Sequence, residues 1–235
     1  MIYLTSDLHG KFESFQRLLQ AARFSEHPEN QLYILGDVVD RSNLGGVDIL
    51  TWIMDTPNVT LLMGNHEKMM LDAWWIFDEN ARKNPDADMV KALERWKRNG
   101  ADFTICALKA EDAAMRDRIY AYVQRCPLYA QLELAGRRYV LVHGGLGQFE
   151  KGKALSEYSW HDLLWERPDL STTYEPDAYT VIFGHTPTYH LDPKYKNRMV
   201  RTASWWNIDT GAASKEGHPM LLCLDTGEEY YVDED

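Results

Sequence analysis

Five times along this chain a short apolar run stops at a side chain able to bind a metal ion or a phosphate. Ile2-Tyr3-Leu4 leads into Asp7 and His9, Leu32-Tyr33-Ile34-Leu35 into Gly36-Asp37-Val38-Val39-Asp40-Arg41, and Val59-Thr60-Leu61-Leu62-Met63 into Gly64-Asn65-His66-Glu67. Further on, Tyr139-Val140-Leu141-Val142 runs into His143-Gly144-Gly145, and Tyr179-Thr180-Val181-Ile182-Phe183 into Gly184-His185-Thr186. Apolar runs of this length bounded by glycine read as buried strands. If the five belong to one fold and point the same way, their C-terminal ends meet along one edge, where sites form in α/β sheets. Gly36 allows a close backbone approach. The two carboxylates and the guanidinium that follow it suit a site handling cations and an anionic substrate together.

The segments between these runs fill in the architecture. Phe12, Phe15, Leu19 and Ala22 recur at helical spacing through 11–23, which predicts a β-α-β opening, and 48–54 reads as a second short helix closed near Pro57. Residues 68–127 change character: Trp74-Trp75, the Met89/Leu93/Trp96 stripe and Met115/Ile119/Tyr122/Cys126 all repeat at helical intervals. This predicts a helical insertion between two core strands, serving as a cap on the sheet, as a lid beside the site, or as both; the Trp and Met stripes themselves read as core. Leu132 to Val142, turning at Ala135-Gly136, and Met220 to Val232, turning at Asp225-Thr226-Gly227, read as hairpins, so parallel and antiparallel pairings are expected in one mixed sheet or two. The acidic end, Asp233-Glu234-Asp235, reads as a solvated tail.

At 235 residues and 45% hydrophobic content the chain fits one α/β domain, 1–235, with 68–127 inserted in it. A net charge of −11 argues against holding extended nucleic acid by general electrostatics, while leaving room for a local positive site. Three cysteines without CxxC spacing indicate neither a disulfide framework nor a zinc ribbon, and buried free thiols are expected. With no leader-like start and no run long enough to span a bilayer, a soluble, cytoplasmic protein without membrane partners is expected; oligomeric partners are left open. Gly147 to Ala154 imitates the spacing of a phosphate-binding P-loop, but Ala154 stands where a magnesium-binding Ser or Thr is needed, so that reading is set aside.

Pooled, the five turns offer three histidines, several carboxylates and an asparagine. Imidazole and carboxylate without thiolate suit divalent ions such as manganese, iron or zinc. Six ligand side chains exceed what one ion needs when it must keep an open position, so two ions are expected; two held roughly 4 Å apart can clamp a phosphoryl group. His27, His161, His190 and His218 lie outside the pattern and read as ordinary.

The ordered set Asp7-x-His9, Gly36-Asp37-x-x-Asp40-Arg41, Gly64-Asn65-His66-Glu67, His143-Gly144-Gly145 and Gly184-His185 resembles the metallophosphoesterases of the phosphoprotein phosphatase family, particularly the compact bacterial and phage serine/threonine phosphatases. The resemblance covers most of the chain outside the insertion. It implies a calcineurin-like αββα sandwich with two mixed sheets and a dinuclear metal site on one edge, manganese first, with iron, zinc or nickel as alternatives. By position, Asp7, His9 and Asp37 would hold the first metal, and Asp37, Asn65, His143 and His185 the second. His66, positioned by Asp40, would be the general acid, and Asn65 and Arg41 would also meet the phosphate. In relatives of this kind a further phosphate-binding arginine follows a tryptophan, which makes Arg167 of Trp165-Glu166-Arg167 the candidate. The activity implied is hydrolysis of phosphomonoesters by in-line attack of a metal-bridging hydroxide, with a phosphoprotein or phosphopeptide as substrate. The alternative within the resemblance is a bis(5'-nucleosyl)-tetraphosphatase, and outside it a non-catalytic metal-binding regulatory protein, which would have no use for His66, Asp40 and Arg41.

Overall fold

A computed structural model of the chain describes residues 1–42, 44–175 and 177–232, so the predicted acidic tail at 233–235 lies outside the described residues. The first sheet has the order β10-β9-β1-β2-β3, where β1 is Ile2–Thr5, β2 Gln31–Ile34, β3 Val59–Leu61, β9 Met220–Cys223 and β10 Glu229–Tyr231. The second has the order β4-β5-β6-β8-β7, with β4 Tyr129–Leu134, β5 Arg137–Val142, β6 Thr180–Phe183, β7 Val200–Arg201 and β8 Trp205–Asn207. Both are mixed. β1, β2 and β3 run parallel beside an antiparallel β9-β10 hairpin, and β5, β6 and β8 run parallel between antiparallel β4 and β7.

The two-residue period of the strands sorts the core into layers. Leu4 of β1, Leu141 of β5, Ile182 of β6 and Met220 and Leu222 of β9 pack between the sheets, together with Leu35, Leu62 and Ile208 just past β2, β3 and β8. Their chain neighbours Tyr3, Leu221 and Cys223 face outward beneath the helices, and Val140, Val142, Val181 and Phe183 form the far face of the second sheet. Each fully buried Leu or Ile in these layers contributes about 1.5–3 kcal/mol. The αββα order is lopsided. Over the first sheet lie α1 (Phe12–Ala21), α2 (Val47–Met54) and the run α3 (Asn65–Asp72), α4 (Glu79–Lys83), α5 (Ala87–Arg98), α6 (Asp102–Ala110) and α7 (Ala113–Val123). The second sheet is covered by α8 (Trp160–Leu164), a single short helix, together with Leu146, Tyr158 and Tyr174.

The run α3–α7 occupies the chain between β3 and β4, and aspartates start three of its helices: Asp78 accepts from the Asn80 and Ala81 amides, Asp86 from those of Asp88 and Met89, and Asp112 from that of Met115. Its stripes are only partly core. Trp96 and Ile119 are fully buried, whereas Trp74, Trp75 and Met115 are half-buried. The buried-thiol expectation is corrected as well: Cys223 is buried, Cys126 is intermediate and Cys106 is exposed. Cys106 shares the outer stripe of α6 with Phe103, itself 46% exposed, while Thr104, Ile105 and Leu108 take the inner face. Among the described residues no helix is long and apolar enough to cross a membrane.

Candidate active site

The parallel strands of both sheets deliver their turns to one edge. Asp7 and His9 follow β1, Asp37, Asp40 and Arg41 follow β2, Asn65 and His66 follow β3, His143 follows β5 and His185 follows β6. The turns are tied to one another before any side chain is considered: the Asp7 amide donates to Gly36 O (3.1 Å), that of His9 to Asp37 O (3.0 Å), and that of Gly184 to His143 O (2.9 Å). Gly36, at φ +89°, packs the turn after β2 directly against the turn after β3. A Cβ there would meet Gly64 Cα at 2.6 Å, Gly64 N at 2.7 Å and His143 Nδ1 at 2.8 Å.

Asp37 is central. Its carboxylate sits at the N-terminus of α3, accepting from the His66 amide (Oδ1, 3.0 Å), where the helix dipole favours negative charge. Around it two groups of side chains each bring their ligand-type atoms within 4.8 Å of one another: His9, Asp37 and His66, and Asp37, His143 and His185. Both share Asp37 and all members are buried. Asn65 joins the second group through Oδ1, 2.8 Å from His143 Nε2. Asp7 stands beside them with its Oδ2 taken by Ser6 Oγ (2.5 Å) and the His185 amide (2.8 Å). His27, His161, His190 and His218 fall outside both groups.

Hydrogen bonds set the tautomers. His9 Nδ1 meets the Val39 carbonyl (2.8 Å) and His143 Nδ1 the Leu35 carbonyl (2.7 Å); each must therefore carry its proton on Nδ1, leaving Nε2 pointed at Asp37. His185 Nε2 is buried with no hydrogen-bond partner. An orphaned imidazole nitrogen, two tautomer-fixed neighbours and a shared carboxylate are what a divalent-cation site requires, and the donor set fits one.

Charge acts accordingly. Burial would raise the Asp37 carboxyl, but His143 and His66 hold it well below the usual carboxylate range. Burial likewise opposes charge on His143, yet Asp37 outweighs it and lifts the pKa to about 10, since a cation of some kind is favoured among these acceptors. Burial keeps His9 down, to about 3, with His66 adding to the effect, and pushes Asp7 up to about 6.

His66 is oriented from both sides. Its Nδ1 lies 2.6 Å from Asp40 Oδ2, and Arg41 Nη2 donates to its Nε2 at 3.0 Å. Asp40 is wholly buried and held by the helical run: Trp96 Nε1 donates to Oδ1 (3.1 Å) and Oδ2 (2.9 Å), and Thr104 Oγ1 to Oδ1 (2.6 Å). Burial alone would lower the His66 pKa; Asp37 and Asp40 overcome it, and the net shift is upward. Arg41 and Arg167 are both exposed at the rim, Arg167 with Nη1 3.0 Å from Thr186 Oγ1. Neighbouring Trp165 sets its ring edge-on to His185 at 5.8 Å.

Four supporting residues carried no role in the sequence reading. Trp96 and Thr104 are two. Glu67 is the third: buried completely, it accepts from the amides of Asp37 (2.8 Å), Val38 (2.8 Å), Val39 (3.3 Å) and Gly64 (3.0 Å), so one carboxylate pins two turns. Asp209 follows β8, is buried, and has its pKa pushed well up by burial and by Asp7. Its signal was the same strand-then-acid grammar, in Trp205-Trp206-Asn207-Ile208-Asp209.

The calcineurin-like phosphoesterase family matches this chain over residues 1–214. The chain belongs to that family. This phosphoesterase is similar to serine/threonine-protein phosphatase 1 of Salmonella typhimurium strain LT2, 28% identical over 224 residues that cover 90% of this chain and 86% of that protein. It is also similar to a symmetrical bis(5'-nucleosyl)-tetraphosphatase of Paracidovorax citrulli, 28% identical over 145 residues, 62% of this chain but only 44% of the relative. Among solved structures, a protein serine/threonine phosphatase from Saccharomyces cerevisiae superposes with a TM-score of 0.62 at 14% identity, covering 100% of this chain and 80% of that one. At that identity the likeness speaks for the fold alone.

Proposed function

We propose that this phosphoesterase hydrolyses phosphomonoesters on protein serine or threonine. The observation that carries the reading is the His66–Asp40 pair, 2.6 Å apart and met by Arg41, with His66 beside the other members of two cation-ready groups that share Asp37. Divalent ions held by Asp7, His9 and Asp37, and by Asp37, Asn65, His143 and His185, manganese first among them, would supply Lewis acidity to the attacking water and the phosphoryl group. Arg41 and Arg167 would bind the phosphate oxygens, each presenting planar N–H donors. His66 would donate a proton from Nε2 to the leaving alkoxide, which is too basic to depart unaided. Arg41 now donates to that nitrogen, so the ring is neutral there; a phosphate that draws the guanidinium away frees Nε2 to carry the proton. Asp40, at Nδ1, orients the ring and favours its charged form.

The Salmonella phosphatase supports the protein substrate because it aligns nearly end to end with this chain. One observation favours the dinucleotide alternative. Trp160, 39% exposed, lies 4.8 Å beneath Lys68 Nζ, and Lys68 is one turn along α3 from Asn65. The exposed part of the indole offers a base a stacking face, and Lys68, drawn from its pairing with Asp72, offers a distal phosphate a partner. The test is turnover of phosphoserine and phosphothreonine peptides against diadenosine tetraphosphate, with metal content measured on the same sample. Higher kcat/KM on the peptides is expected. A value at least tenfold higher for the dinucleotide, lost in Trp160→Ala, would replace the reading by the alternative.

A further inference from the structure

A groove of ≈ 630 Å³ opens within the helical run, between the last turn of α3, the start of α5 and α7, and none of the metal-ready residues line it. Its walls are the half-buried rings of Trp74, Trp75, Phe77 and Tyr120, with Trp74 4.9 Å from Phe77 and 5.3 Å from Tyr120. Its charged rim is mostly acidic. Asp78 uses Oδ1 to cap α4, and Asp117 makes no hydrogen bond or ion pair with any described residue. Asp72 is engaged by Lys68 and Arg95. The one basic residue of the lining, Arg116, is turned onto the carbonyls of Leu108 and Glu111 and stacks over Phe77. Aromatic faces beside a carboxylate without a cationic partner, here Asp117, bind an alkyl chain that ends in a cation.

Two helices connect this groove to the site. α3 carries His66 at its start and Leu71 and Asp72, which line the groove, at its end; α5 carries Met89 in the groove and Trp96 on Asp40. Six residues of helix from His66 to Asp72 span about 9 Å. An extended peptide covers that distance in about three residues.

We propose that the groove docks a lysine or arginine of a phosphoprotein substrate lying about three residues from the phosphorylated side chain. The proposal rests on the protein-phosphatase reading. It makes the helical run a recognition element for basic, phosphorylated segments, in keeping with a chain of net charge −11.

The test is a set of neutral phosphoserine peptides in which one lysine is walked through the five positions on either side, each with a glutamate counterpart, and p-nitrophenyl phosphate as the control. A lysine about three positions away should raise kcat/KM over glutamate by roughly five- to twentyfold, through KM. Asp117→Asn should shrink that preference, Asp117→Lys should invert it, and Tyr120→Leu should weaken it, all with unchanged turnover of the aryl phosphate. A lysine preference equal at every position, or one that survives both Asp117 variants, would overturn docking while leaving the phosphatase reading intact. Turnover of the aryl phosphate with none of any phosphopeptide would remove the reading itself, and the docking proposal with it.

Discussion

Thr104→Val tests whether the helical run holds His66, the proposed general acid, in place. Valine keeps the shape of threonine but removes the hydroxyl that donates to Asp40 Oδ1 at 2.6 Å and accepts from the Asp40 amide at 3.0 Å. Oδ1 is then left with the longer bond from Trp96, at 3.1 Å, in a carboxylate that is 0% exposed and has no water to turn to. A hydrogen bond to a buried charged group is worth about 1.5–3 kcal/mol. For a chain of this size each kcal/mol moves Tm by about 2–4 °C, so a fall of about 3–12 °C is expected. Catalysis should suffer by a separate route. With one donor fewer, Asp40 holds the His66 proton more tightly and the ring is free to tilt, so proton delivery slows; a loss of roughly tenfold is a fraction of what general acids contribute. The assay pairs calorimetry with kcat on an alkyl phosphate and on p-nitrophenyl phosphate, whose leaving group needs little help. The alkyl rate should fall more, and Thr104→Ser should restore both readouts. An unchanged Tm together with an unchanged alkyl-to-aryl ratio would refute the clamp.

Asp37→Asn should lose bound metal and turnover together, since this carboxylate belongs to both cation-ready groups; metal analysis finding two tightly held ions at a near-normal rate would contradict its shared role. Asp40→Asn removes an acceptor that raises the His66 pKa, so the acid form should be lost at lower pH and the alkaline limb of the kcat profile should move down. A limb that stays in place would take Asp40 out of that role. Gly36→Ala drives a Cβ into the Gly64 backbone at a φ of +89°, and a loss of about 3 kcal/mol or more is expected. Thermal melting within about 2 °C of the parent, on the scale just used, would mean the two turns can part.

What the sequence discloses and what it conceals divide on range. Residues that end strands advertise themselves, because an apolar run stopping at Asp37, His143 or His185 is a local pattern with a local physical meaning. Glycine beside the ligand is legible for the same reason. The supports of Asp40 are not: Trp96 and Thr104 lie 56 and 64 residues away, and within their own helices each has a sufficient explanation as core. Helical periodicity says that Trp96 faces inward, and it does, at 0% exposure; nothing in that period says that its indole N–H finds a carboxylate. Asp209 was legible in kind, but polar Asn207 breaks the apolar run of Trp205, Trp206 and Ile208 just before it, so the signal is weaker than at the other strand ends. Cys106 shows the opposite failure, an expectation drawn from residue type that its place on the outer stripe of α6 overrides.

The backbone explains why the supports are so many. Of the ten non-glycine residues with positive φ among those described, six are Asp7, His9, Asp37, Asp40, Arg41 and His185. Such conformations cost about 1–3 kcal/mol each where the side chain gives no local compensation, and Asp and His tolerate them better than Arg. A left-handed residue at a strand end turns the chain back sharply, so its side chain and its neighbours' amides converge on one small volume. That geometry persists only if other bonds fix it. Here they do: the His9 amide is held by Asp37 O, that of Arg41 by Gly100 O, and those of Asp37, Val38 and Val39 by Glu67. Gly100 leaves room for Arg41, since a Cβ there would meet Arg41 Cγ at 2.9 Å. Two of these anchors, Glu67 and Gly100, come from the chain between β3 and β4, as do Trp96 and Thr104. The helical run is therefore part of the machinery that keeps the strand-end turns strained and convergent, and α3 and α5, which carry Glu67 and Trp96, also line the groove.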